Sequence, residues 1–167
     1  MATDTLITKI LTFEHTAAAL QAYGDAVAAA YKEELLGDDR IATGDLIRSV
    51  KAVVTRTGGA QFEVSLDLAE YWKYVEYGTR PHWPPSDAIR EWITAKPILP
   101  RPFANGKLPT LEQLTFLIQR KIARFGTKGS NTLRHTLEEV NAEWMEQIAA
   151  ALAEDVGDAA WALFMDF

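Results

Sequence analysis

The 167 residues predict an α+β fold: a small antiparallel β-sheet packed against long N-terminal and C-terminal helices, with a Pro-rich loop and extra helices inserted. Three observations predict it. Apolar residues recur at helical spacing in two long stretches, at Phe13, Ala17, Leu20, Val27, Tyr31 and Leu35, and at Leu133, Leu137, Val140, Trp144, Ile148 and Leu152. Between them Phe62, Val64, Leu66 and Leu68 alternate with Glu63, Ser65 and Asp67, the period of a strand with one wet face. All seven prolines fall between Pro81 and Pro109, so regular structure is interrupted there.

The elements follow in order. Residues 1–12 read as a loose lead-in. The first helix starts near Phe13, is rich in Ala, and stops at Gly37, Asp38 and Asp39. A turn follows at Thr43-Gly44-Asp45. Leu46–Val50 fits a helical turn, and the β-branched run up to Thr57 fits a strand. Gly58-Gly59 is a hairpin signal. A lone two-stranded hairpin is marginal, so its apolar face needs the flanking helices or further strands, including strands from another subunit.

Glu70 to Trp92 holds three of the five Trp, three of the five Tyr and three of the prolines. It reads as a packing hub: a short helix over Ala69 to Tyr77, closed by Gly78 in a left-handed conformation, then a sharp exit through Pro81, Pro84 and Pro85. Ser86 is the expected N-cap of a helix over Asp87–Thr94, with Ile89, Trp92 and Ile93 inward. Residues 96–109 are a long irregular connection. Thr110 and Gln113 have the spacing of a capping box and open a helix carrying Leu111, Leu114, Leu117, Ile118, Ile122 and Phe125. Gly126 ends it, and Ser130 or Asn131 caps the last helix. That helix is expected to run to Val156 and break at Gly157, leaving residues 157–167 as an apolar tail that needs a surface to cover it. The length suits a single domain spanning 1–167.

The charge pattern narrows function. The net charge of −6 disfavours a general nucleic-acid coat. It is segregated: Lys107, Arg120, Lys121, Arg124, Lys128 and Arg134 face a single acid, Glu112, between 107 and 134, and no Lys or Arg follows Arg134. Glu138, Glu139, Glu143, Glu146, Glu154, Asp155, Asp158 and Asp166 follow instead. Such a split fits packing or solvation within one subunit, or head-to-tail contact between copies. No apolar run approaches the roughly 18 residues of a membrane span, and the first residues lack the pattern of a signal peptide. There is no cysteine, hence no disulfide and no thiol nucleophile.

Tests for chemistry return nothing specific. His15, His82 and His135 are isolated in sequence, with no partner at metal-ligand spacing such as HExxH. The run Phe125-Gly-Thr-Lys-Gly-Ser130 fails the phosphate-loop pattern, because Lys128 precedes Gly129 and a helix rather than a strand precedes the run. No nucleophile elbow or dinucleotide fingerprint occurs. The expectation is a protein that is not an enzyme and takes no cofactor or metal. Arg120, Lys121, Arg124, Lys128 and Arg134 leave a nucleic-acid-binding or processing role as the alternative, although cations near a helix C-terminus also satisfy the helix dipole.

A resemblance enters at Glu70-Tyr-Trp-Lys-Tyr-Val-Glu-Tyr-Gly-Thr79, which resembles the "YAxYVExGT" segment of the neck, or tail-completion, proteins of long-tailed bacteriophages, a family that includes minor tail protein Z of lambda-like phages. Thr43-Gly-Asp-Leu-Ile-Arg-Ser-Val50 resembles the family's "TGxLxxSI" segment. Gly126-Thr-Lys-Gly129 and the helix with Thr136-Leu-Glu-Glu139 resemble its closing element. The matching segments occur in order over about residues 13–156. Trp72 stands where a small residue is common, and residues 80–125 exceed the family's minimal form. The resemblance implies a structural virion protein, made in the host cytoplasm. It would form an oligomeric ring in the neck that joins the portal and head-closure proteins to the tail terminator or tail tube. Genomic DNA would pass through it without specific binding, and no membrane would be involved. Another virion ring, a tail terminator or head–tail adaptor, is a further alternative. The expected contact residues are Arg80, His82, Trp83, Arg101, Phe103, Arg124, Lys128, Trp161, Phe164 and Phe167.

Overall fold

A computed structural model describes residues 12–37, 44–96 and 98–165. The fold is α+β, with two two-stranded antiparallel sheets among the described residues and long helices near both ends. The described residues of Met1–Gly37, Ser49–Ala69 and Thr132–Phe167 form one compact unit, and those of Asp38–Arg48 and Glu70–Asn131 form another.

The first unit is built on helix α1 (Glu14–Gly37), which buries Thr16, Gly24, Val27, Ala28, Tyr31 and Leu35 along one side. The expected stripe is present, and its C-terminal half is the tightest part. Each such apolar side chain contributes roughly 1.5–3 kcal/mol on burial. After the short helix α2 (Asp45–Ser49), strands β1 (Lys51–Gly58) and β2 (Gln61–Asp67) pair antiparallel, Lys51 opposite Asp67, with an irregularity between Arg56 and Gly58. The turn itself is Gly59-Ala60, one residue later than the Gly58-Gly59 signal suggests. The hairpin stays two-stranded among the described residues and lies against α1. Gly24 allows this, since a Cβ there would sit 2.9 Å from the Ala52 Cβ. Arg56 pins the start of the unit: its guanidinium lies 5.2 Å from the Phe13 ring centre and 5.6 Å from that of Phe62, and it donates to the Thr12 carbonyl at 2.9 Å.

The last helix, α6 (Thr132–Met165), packs along α1, with Tyr23 donating to Asn141 Oδ1 at 2.5 Å beside the edge of Trp144. The expected break at Gly157 does not occur. A glycine inside a helix costs only about 1 kcal/mol, and the buried Asp155 and Ala159 hold the chain in register on either side of it. The apolar residues beyond Val156 are therefore helix rather than a tail. Phe167 lies outside the described residues.

The second unit contains α3 (Trp72–Tyr77), strand β3 (Gly78–Thr79), α4 (Ser86–Ala95), α5 (Leu111–Phe125) and strand β4 (Thr127–Lys128). Two expectations are corrected here. Ser86 does not cap α4. It is the helix's first residue after Pro85, and its Oγ accepts a bond from Gln119 Nε2 at 3.0 Å. The aromatic hub does not bury its rings: Tyr71, Tyr74 and Tyr77 are exposed, and the fully buried side chain of α3 is Glu76. A six-residue helix buries one side, and in α3 that side carries Glu76 rather than the rings. The capping box at Thr110 is as expected, with Gln113 N donating to Thr110 Oγ1 at 3.3 Å and Thr110 N to Gln113 Oε1 at 3.0 Å. Residues 98–110 contain no helix or strand.

Candidate assembly interface

The segments Gly78–Thr79 and Gly126–Gly129, far apart in sequence, meet as strands β3 and β4 with Gly78 opposite Lys128 and Thr79 opposite Thr127. The two threonines interlock: Thr79 N donates to Thr127 Oγ1 at 2.9 Å, Thr127 N donates to Thr79 Oγ1 at 3.2 Å, and the hydroxyls lie 3.0 Å apart. Glycine is required on both sides. Gly78 (φ 75°, ψ −169°) and Gly126 (φ 69°, ψ −162°) occupy a backbone region open essentially to glycine alone. This is an extended positive-φ conformation, not the left-handed helical cap expected of Gly78. A Cβ on Gly78 would strike the Thr127 carbonyl oxygen, and one on Gly126 would strike that of Thr79. Ser130 N and Asn131 N extend the clasp by donating to the carbonyls of Val75 at 2.9 Å and Glu76 at 3.1 Å.

Beside the clasp, α4, α5 and β4 enclose an apolar groove of about 550 Å³. Ile89, Trp92, Ile118, Ile122 and Phe125 form its walls, with Lys121 and Lys128 supplying positive charge. An adjoining recess shares Trp92, Ile122, Thr127 and Lys128 and adds Tyr74, Val75, Thr79 and His82. Of the apolar stripe read from the sequence of α5, Leu111, Leu117 and Phe125 are exposed and Leu114, Ile118 and Ile122 only half-buried, while Thr115 and Gln119 are buried. Gln119 is held by its own bonds, donating to the Pro84 carbonyl at 2.8 Å as well as to Ser86.

Of the expected contact residues, His82 and Lys128 meet at this recess. Arg80 presents its carbonyl to His82 Nδ1 at 2.9 Å. Trp83 is exposed and tilts against Phe116, ring centres 6.0 Å apart. Arg124 lies 5.6 Å from the centre of the Phe125 ring. Arg101 and Phe103 sit in the long connection, where Phe103 N bonds the Lys107 carbonyl at 2.8 Å, and neither lines the groove. Trp161 and Phe164 belong to the other unit. They stack on each other 6.2 Å apart, 62% and 74% exposed. The groove walls were missed because helical periodicity marks an apolar face without saying whether the chain itself covers it.

The carboxylates also meet partners the sequence does not reveal. Asp155 is 4% exposed and accepts from Thr16 N at 2.7 Å, Thr16 Oγ1 at 2.5 Å and His15 N at 3.0 Å. Burial alone raises its pKa. The Thr16 hydroxyl, the Thr16 and His15 amides and the His15 ring together hold it below the ordinary carboxylate value. The His15 ring reaches Glu154 at 3.4 Å and Asp158 at 3.3 Å. His135 lies 4.0 Å from Glu138, three residues on. Among the described residues no group of three or more His, Asp or Glu side chains could hold a metal ion, and no helix is long and apolar enough to cross a membrane. Arg134 pairs with Glu138 at 2.9 Å, whereas Arg120, Lys121 and Arg124 are exposed on α5. Comparison with known protein families, with curated proteins and with solved structures found no match.

Proposed function

We propose that this chain is a structural protein of a long-tailed bacteriophage virion, a neck or tail-completion protein. Copies form a ring that joins the head-closure end of the portal assembly to the tail and lines the DNA channel. It acts by contact rather than by catalysis. The observation that carries the reading is the glycine–threonine clasp. The two segments that resemble the family's motifs, ending at Thr79 and starting at Gly126, are the ones that pair, and the glycines of those motifs are the ones the backbone demands. Assembly is supported by the large apolar side chains left exposed on α5 and at the end of α6. It is supported further by the segregation of basic and acidic residues along the chain, as a head-to-tail interface needs. A net negative charge suits a channel that DNA must slide through without being held.

The test is genetic and visual. Phage unable to make the chain should accumulate filled heads and finished tails that do not join, and the chain supplied in an extract should join them. Virions that assemble normally without it would end the proposal. The exposed Arg120, Lys121 and Arg124 favour a second reading, nucleic-acid binding. Tight duplex binding with a steep salt dependence would support that reading instead.

A further inference from the structure

We propose that the end of α6 from one copy docks into the groove between α4, α5 and β4 of a second copy. The inference deepens the ring reading and rests on it only in that copies of the chain must meet. The occupant is chosen by shape and charge. Glu154, Asp158, Trp161 and Met165 follow one another at spacings of four, three and four, so they share one stripe of α6, with Phe164 one turn from Trp161 at its edge. Glu154 and Asp158 flank the His15 ring of α1 at 3.4 and 3.3 Å, yet their side chains stay 65% and 77% exposed. Beyond them residues 160–165 are all exposed, whereas Asp155 and Ala159 are buried. Trp161 and Phe164 already stack, so two large rings are held ready with little rotamer freedom left to lose.

The groove is the complement. Its walls are aliphatic and aromatic, its volume of about 550 Å³ suits such a pair of rings, and Lys121 and Lys128 line it with charge opposite to that of Glu154 and Asp158. A groove on one face and a helix end in the other unit are different surfaces, so the contact is heterologous and can propagate from copy to copy into a ring.

The experiment uses the full chain. Mass photometry and sedimentation velocity would compare the wild type with Trp161→Ala/Phe164→Ala, with Lys121→Glu/Lys128→Glu and with Glu154→Lys/Asp158→Lys. All six side chains are exposed, and circular dichroism checks that each variant folds. Each double variant should weaken self-association by at least about 30-fold, the loss expected of an interface hot spot. Mixing the two charge-reversed proteins should restore mixed assemblies, because the acidic groove then meets a basic helix. Since the chain has no cysteine, Met165→Cys mixed with Lys121→Cys should form a disulfide-linked heterodimer under oxidation. Assemblies that survive the aromatic double variant would overturn the docking while leaving the ring reading in place. Loss with the aromatic variant but not with the groove variant would overturn the groove as receptor. A Lys121→Cys/Met165→Cys double variant that cross-links within one chain, independent of concentration, would show that the helix docks on its own subunit and overturn the proposal. A wild-type protein that never associates would overturn the docking and the ring together.

Discussion

Replacing Asp155 tests how the first unit is held. Its carboxylate serves as the N-cap of α1, supplied from α6 rather than from the residue before the helix, because Phe13 has no acceptor to offer. Asp155→Ala removes three bonds. The Thr16 amide and hydroxyl are buried and keep no partner, at about 1–3 kcal/mol each, whereas the His15 amide is only partly buried and regains water at a smaller cost. The expected loss is about 3–5 kcal/mol, a large share of the roughly 5–15 kcal/mol that holds a domain together. Asp155→Asn keeps the shape but offers one acceptor oxygen and turns an NH₂ toward donors, for a loss of about 2–3 kcal/mol. The loss also depends on pH. Because the native pKa lies below the unfolded one, the stabilisation is complete above the ordinary carboxylate pKa of about 4 and is lost as pH falls through the lower native value. Urea unfolding of wild type and Asp155→Asn should therefore show a larger difference at neutral pH than below about pH 4. A difference under about 1 kcal/mol at neutral pH, or one unchanged into the acid limb, would refute the capping account.

The remaining predictions concern other elements. Gly78→Ala or Gly126→Ala should destabilise the second unit by about 3 kcal/mol or more, since each adds a backbone clash to an unfavourable positive φ; urea unfolding followed by tryptophan fluorescence would show it, and a neutral effect would contradict the clasp. Gln119→Leu should cost about 1–3 kcal/mol by orphaning Ser86 and the buried Pro84 carbonyl, read from the same titration. Gly157→Ala should stabilise by about 0.5–1 kcal/mol, because the added Cβ meets nothing within 4 Å and the position is helical; a loss would mean that Gly157 has a contact role.

Much of the fold was legible because local signals agreed with it. The stripe from Phe13 to Leu35, the alternation from Phe62 to Leu68 and the box at Thr110 each prescribe one local structure, and each formed. Two kinds of feature were not legible. The first is partner identity: nothing in the spacing of Ile118, Ile122 and Phe125 says that the described residues leave them only partly covered, nor that Asp155 would cap a helix about 140 positions earlier. The second is context overriding propensity. Gly157 reads as a break but is carried through by the flanking packing of Asp155 and Ala159. Ser86 reads as a cap, yet the fixed φ of Pro85 already sets the helix entry and frees the hydroxyl for Gln119. The clasp lies between these cases. Its glycines were visible as motif residues, but the pairing of residue 79 with residue 127 was not, because two-residue strands carry no period.

In the proposed function, copies of this chain close into a ring at the head–tail junction. Cryo-electron microscopy of intact virions, with the chain tagged, tests it most directly. The expected result is a ring of density between portal and tail in which the tag repeats around the axis. The chain found only as a monomer outside the particle, with that ring built entirely from other proteins, would contradict it.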